Sequence, residues 1–182
     1  MSELAGLLNN LRARLDKEGV RFVVGGSFAL AARGHARSTD DLDVMVMLQG
    51  GDLTPVHRAL QAPPSRFTMV NEATFRDEET LLLLDLIPVR DEAQREVFDR
   101  AAKVELDGAH DVRFLTAEGI AVMLLREATL GAAQKRRQRL ADLDALAGAN
   151  PGLDKGYIRS WAERMGYDGS FREWTEPNRS GP

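Results

Sequence analysis

GGSFALAARGHARSTDDLDVMV, residues 25–46, decides the fold of this chain. It follows a short β-branched and aromatic run, Arg21 to Val24, which predicts a strand cut off by Gly25 and Gly26. Two successive glycines permit positive backbone angles and let a ligand approach the main chain closely. SFALAARG then predicts a two-turn helix stopped at Gly34. Ser27 offers a hydroxyl and an amide at the start of that helix, a position that suits phosphate. Leu42 to Leu48 predicts a buried strand ended by Gly50 and Gly51. Asp41 and Asp43 stand two residues apart at its beginning, so the strand period aims both carboxylates at one face, where they can share an ion.

Working outward, Leu4, Leu7, Leu8, Leu11 and Leu15 recur at spacings of three and four and predict an amphipathic helix capped near Gly19. Leu53 to Leu60 predicts a short helix broken by Pro63 and Pro64, and Arg66 to Val70 a strand. LLLLDLIPV, residues 81–89, predicts a central strand interrupted by one carboxylate, Asp85. After Asp91 a polar segment leads to a hairpin around Asp107 and Gly108, joining Ala102 to Leu106 with Val112 to Leu115. Helices follow: one capped by Thr116, one over Ala132 to Leu146, and one over Asp154 to Met165. The layout is α+β in front and helical behind: a core over residues 1–115, a helical part packed on it over 116–167, and a polar tail, 168–182, expected to be poorly ordered.

Composition bounds the chemistry. The 182 residues are 43% apolar, enough for one domain with a substantial core. Cysteine is absent, so disulfides, thiolate metal sites and a cysteine nucleophile are excluded. The N-terminal segment has charges spread through it and no continuous apolar core, which predicts a soluble, cytoplasmic protein with no membrane partner. A net charge of -4 does not suggest an overall nucleic-acid binder, although local patches can hold phosphates. His35, His57 and His110 lack metal-ligand spacing, so zinc is not expected. A hydrolase triad through Ser27 would lack the Gly-x-Ser-x-Gly elbow. Trp161, Trp174, Tyr157 and Tyr167 are expected to pack a terminal helix.

The acidic residues carry the functional reading. An ionised Asp85 among leucines needs a partner, because an unpaired buried carboxylate costs several kcal/mol. Asp41, Asp43 and Asp85 converging on neighbouring strand ends would form a hard oxygen site suited to one or two Mg²⁺ ions, which also bind triphosphate oxygens. The alternatives are that Asp41 caps a turn and Asp85 pairs with an arginine. The glycine turn lacks the Gly-Lys-Ser/Thr ending of a Walker A loop and the third glycine of the dinucleotide fingerprint.

Taken together, Gly26-Ser27, Asp41-Leu42-Asp43 and Asp85 resemble the signature of the nucleotidyltransferase superfamily related to DNA polymerase beta. In that pattern a Gly-Ser turn is followed by Asp-x-Asp and then by a third acidic residue on a later strand. Gly34, Arg37 and Thr39 are similar to the small prokaryotic branch that includes AbiEii and MenT-type toxins, and the order of elements matches over residues 1–147. The resemblance implies a mixed sheet flanked by helices and followed by a small C-terminal helical part. It implies that Asp41 and Asp43 ligate Mg²⁺, that Asp85 completes a second-ion site or acts as base, and that Gly26 and Ser27 hold the phosphates of a nucleoside triphosphate. A nucleotidyl group would then pass to an acceptor hydroxyl on tRNA, a protein or a small molecule such as an antibiotic, with a cognate antitoxin as a partner in the toxin case. A non-catalytic nucleotide-binding protein of the same fold is the rival.

The basic residues divide less cleanly. Arg37 either steadies a phosphate or pairs with Asp41. Lys135, Arg136, Arg137 and Arg139 form a cluster that reads either as a solvated helix face or as a grip on triphosphate or RNA. By the resemblance, Arg126 and Asp142 occupy nucleotide-binding positions of the rear helices, and Lys135 joins them. Gln138-Arg139 stands where AbiEii-like relatives carry a Lys-Asp pair.

Overall fold

In the computed structural model, residues 3–106 and 108–176 are described. α1 (Glu3–Lys17) buries Leu7, Leu8, Leu11 and Leu15 as the leucine spacing predicts. It ends where Gly19 takes a φ of 66° and Val20 N–H donates back to Leu15 O at 3.0 Å. That left-handed residue closes the helix without the steric penalty a side chain would add. β1 (Arg21–Val24), α2 (Gly26–Ala32) and β2 (Asp41–Met47) then form the expected strand, turn, helix and strand. α3 (Thr54–Gln61) packs beside α1.

β3 (Phe67–Asn71), β4 (Thr74–Asp77) and β5 (Leu83–Pro88) extend the sheet, and β6 (Ala102–Lys103) and β7 (Arg113–Phe114) finish it. Spatial order is β3-β4-β5-β2-β1-β7-β6 in one mixed seven-stranded sheet. β2 runs parallel to β5 and antiparallel to β1, which makes it the centre of the arrangement. Residue pairing in the β2 and β5 ladder sets Asp41 beside Leu83 and Asp43 beside Asp85.

Several elements depart from the sequence expectation. β4 carries charges at Arg76 and Asp77 and buries only Phe75 and Asp77, so it shows little strand pattern. Asp77 is fully buried because Arg66 holds it, with Arg66 Nη2 donating to Oδ2 at 2.6 Å and Thr80 donating to the same oxygen at 2.6 Å. The second departure is α4 (Glu92–Asp99), which occupies the segment expected to be merely polar. A capping box starts it: Gln94 N–H donates to the Asp91 carboxylate while the Gln94 side chain accepts from the Asp91 N–H. The apolar run over residues 81–89 is also narrower than expected, because Leu81 is exposed in a turn with a φ of 63°. The expected hairpin is reduced to short β6 and β7, with a bridge between Leu106 and Ala109; Asp107 lies outside the described residues.

Behind the sheet, α5 (Ala117–Leu130) is the hub, touching α2, α4, α6 (Ala133–Ala149), α7 (Lys155–Met165) and α8 (Asp168–Thr175). Thr116 caps α5 by accepting from Gly119 N–H, as expected. No described helix is long and apolar enough to cross a membrane. The expectation of a poorly ordered tail is corrected over residues 168–175, which form α8; residues 177–182 lie outside the described residues. Its amphipathic face, Ser170, Phe171 and Trp174, is buried. Phe171 and Trp174 meet edge to face at 5.8 Å, and Arg136 pairs across to Glu173 with Nε to Oε2 at 2.9 Å. Trp174 is 7% exposed, so truncating it removes a large contact area. Trp174→Ala is expected to cost about 3 kcal/mol in chemical denaturation, whereas a cost below about 0.5 kcal/mol would place Trp174 outside the core.

Candidate active site

The strand ends fix the acidic rim. Thr39 sets the entry to β2, its Oγ1 accepting from Asp41 N–H at 3.2 Å. Asp41 and Asp43 fall on the same side of β2, while Leu42, Val44 and Val46 are buried. Asp85 joins them from β5, where burial alternates so that Leu84 and Leu86 enter the core and Asp85 does not. The partner that Asp85 requires is Thr74, whose Oγ1 donates to Oδ1 at 2.7 Å from the neighbouring β4. No buried arginine is paired with it, and among the described residues no cation lies within ion-pair distance of Asp41, Asp43 or Asp85.

Gly26 has a second role beyond ligand approach. Its φ is 53°, and a Cβ built there would overlap the Asp43 carboxylate. Gly25 N–H meanwhile donates to Asp43 O at 2.9 Å. The glycine turn therefore seats the aspartate, and α2 begins beside it with no side chain capping its first amides. Ser27 is buried in that first turn and faces the same cleft.

The cleft encloses about 370 Å³. Gly26, Ser27, Asp41, Asp43 and Asp85 line one side, and Arg37, Glu127, Lys135 and Arg139 also line it, over an apolar floor that includes Leu115, Ile120 and Met123. Burial raises the Asp43 carboxyl from 3.8 to about 6, and the charges of Glu127, Asp85 and Asp41 add to the rise while Arg139 opposes it. Three carboxylates with no cation among the described residues within ion-pair distance of them favour a bound cation. Among the described residues, no three acidic or histidine side chains gather tightly enough to cage a metal by themselves. The oxygen donors nevertheless fit a hard divalent ion that takes its other ligands from a triphosphate and water.

The other site residues predicted from sequence separate into three groups. Arg37 and Lys135 reach the cleft, and the Arg37 Nε is buried with no hydrogen-bond partner, a donor that an anion would satisfy. Asp142 does not line the cleft; it sits behind, accepting from Arg139 Nη1 at 3.2 Å, with His35 Nε2 at 3.8 Å. Arg126 is turned away, its Nε 3.4 Å from Asp91 Oδ2, where it ties α5 to the start of α4. Two further charged residues line the cleft. Arg139 belongs to the cluster that reads either as a solvated helix face or as a grip on triphosphate or RNA, and its spacing of three from Asp142 is a pair signal on a helix. Glu127, which accepts from Arg139 Nε at 2.7 Å, has no signal in the sequence because the contact joins two helices.

Solved structures show a related fold. The antibiotic-resistance factor ANT(2'')-Ia matches in its solution structure with a TM-score of 0.62 and 19% identity, over 91% of this chain and 94% of that one. The same factor in complex with adenylyl-2''-tobramycin gives 0.59 and 19%, over 90% and 99%. An antigenic nucleotidyltransferase-like protein from Paracoccidioides brasiliensis gives 0.60 and 16%, over 93% and 92%. The chain thus has the nucleotidyltransferase fold. No protein-family profile and no curated protein sequence matches it.

The raised Asp43 carboxyl has a consequence for stability. Its proton is held more tightly in the folded chain than in the unfolded one, so the stabilisation is complete below about pH 4 and is lost as pH rises to about 6. Above that, charged Asp43 opposes folding. Asp43→Asn is therefore expected to stabilise the metal-free protein by about 2 kcal/mol at pH 7.5, with the gain shrinking toward pH 4; thermal melts across this range measure it. An unchanged or lower melting temperature at pH 7.5 would contradict the account.

Proposed function

We propose that this protein is a Mg²⁺-dependent nucleotidyltransferase that moves a nucleoside monophosphate from a nucleoside triphosphate to an acceptor hydroxyl. The observation that carries the proposal is the side-by-side placement of Asp43 and Asp85 on parallel strands, in a cleft also lined by Arg37, Lys135 and Arg139. Asp85 bonded to Thr74 rather than to an arginine favours an enzyme over a purely binding protein.

Each residue then has a task. Gly26, Ser27 and the first amides of α2 receive the phosphates, and Arg37, Lys135 and Arg139 neutralise their charge. Asp41 and Asp43, joined by Asp85, would hold Mg²⁺, which supplies charge neutralisation at the phosphates when bound. The acceptor oxygen attacks the α-phosphorus, forming the new ester as the bond to the β-phosphate oxygen breaks and pyrophosphate leaves with the electron pair. Asp85 takes the hydroxyl proton, using a carboxylate steadied by Thr74. Positioning and charge stabilisation supply most of the rate, and no covalent enzyme intermediate is required. Asp142 contributes through Arg139 rather than by touching nucleotide.

The site chemistry leaves the acceptor open among tRNA, a protein and a small-molecule hydroxyl. A tRNA acceptor with a cognate antitoxin is what the resemblance to AbiEii and MenT-type toxins would imply. A small-molecule acceptor is the second reading; ANT(2'')-Ia, an antibiotic-resistance factor, shares the fold. Incubation with each α-labelled triphosphate, Mg²⁺ and either total RNA or lysate is expected to label an acceptor. Replacing Asp41 and Asp43 together by Ala should lower that transfer at least about 100-fold. Transfer persisting in the double variant would overturn the proposed roles of these carboxylates.

A further inference from the structure

The two helix-borne cations of the cleft end on one carboxylate oxygen. Arg139 Nε lies 2.7 Å and Lys135 Nζ 3.4 Å from Glu127 Oε2. Both cations line the cleft, and so does Glu127. Arg139 is 16% exposed at its side chain and cannot lie without a counter-charge at low cost. It has a second one: Asp142, 8% exposed, accepts from Nη1 behind the cleft. Glu127 is more accessible at 31% and stands near enough to Asp43 to raise its carboxyl.

Building on the nucleotidyl-transfer reading, we infer that Glu127 is an internal counter-anion, pairing with the cations that the triphosphate takes and giving way when nucleotide binds. Asp142 is the fixed anchor of the same arginine. The division follows from position. An anion behind Arg139 orients the guanidinium toward the cleft, whereas an anion inside the cleft competes for it and repels the polyphosphate. Glu127 thereby weakens binding of bare polyphosphate and favours one whose charge is already partly cancelled by a divalent ion.

Calorimetric titration of the full chain with inorganic tripolyphosphate, without divalent cation, separates the two carboxylates. Glu127→Gln is expected to bind about fivefold more tightly than wild type, and Asp142→Asn about fivefold more weakly. Glu127→Ala is expected to move in the same direction as Glu127→Gln and serves if the first variant does not fold, with melting followed by circular dichroism. Tripolyphosphate binding by wild type that is unchanged or weaker in the Glu127 variants would overturn the inference and leave the triphosphate cleft standing. Absence of binding in wild type and in both Glu127 variants would overturn the inference and the triphosphate site together.

Discussion

The parallel pairing of β2 with β5 is the constraint on which the candidate site depends. Its register sets Asp43 beside Asp85, and the strand period then brings Asp41 to the same side. A slip of one residue would send the carboxylates into the core and the apolar residues into the cleft. β1 and β4, on either flank, hold that register. β4 also supplies Thr74 to Asp85, while the turn after β1 presses Gly26 against the Asp43 carboxylate. Backbone pairing, a missing side chain and one hydroxyl thus place three like charges together at the edge of an apolar core.

Such a cluster works against the fold that carries it. Burial and neighbouring acids push Asp43 up to about 6, so its ionised form is unfavourable at neutral pH. The core offsets this through the leucines of α1, the strand interior and the α5 hub. Two of the cleft cations are held away from the rim: Arg139 lies between Glu127 and Asp142, and Lys135 is on Glu127. Charge is kept separated across the cleft. A cation together with a polyanion is the ligand combination that satisfies both groups at once.

Much of this was legible in the sequence, for identifiable reasons. The unit over residues 21–47 is local, so strand period, glycine turn and helix length predict it directly. The leucine face of α1, the Thr116 cap and the carboxylates of residues 41, 43 and 85 were readable on the same grounds. β4 escaped because a four-residue strand with a buried Arg66 and Asp77 pair does not alternate in polarity. α4 escaped because its charges hide a capping box and only Ala93, Val97 and Phe98 mark its apolar face. α8 escaped because its aromatic residues sit among polar ones, and their burial depends on distant helices. The division of labour among Arg126, Lys135, Arg139 and Asp142 is tertiary: which basic residue faces the cleft is decided by how α5 and α6 pack, not by their sequence.

The central claim is that the Asp41 and Asp43 rim and a triphosphate together hold one divalent ion. Water-proton relaxation of Mn²⁺, titrated with the full chain in the presence and absence of a nucleoside triphosphate, tests it directly. The account predicts a strong relaxation enhancement only when protein and triphosphate are both present, and its loss when Asp41 and Asp43 are replaced by Asn. Enhancement that survives that replacement, or none in wild type with any of the four ribonucleoside triphosphates, would contradict it.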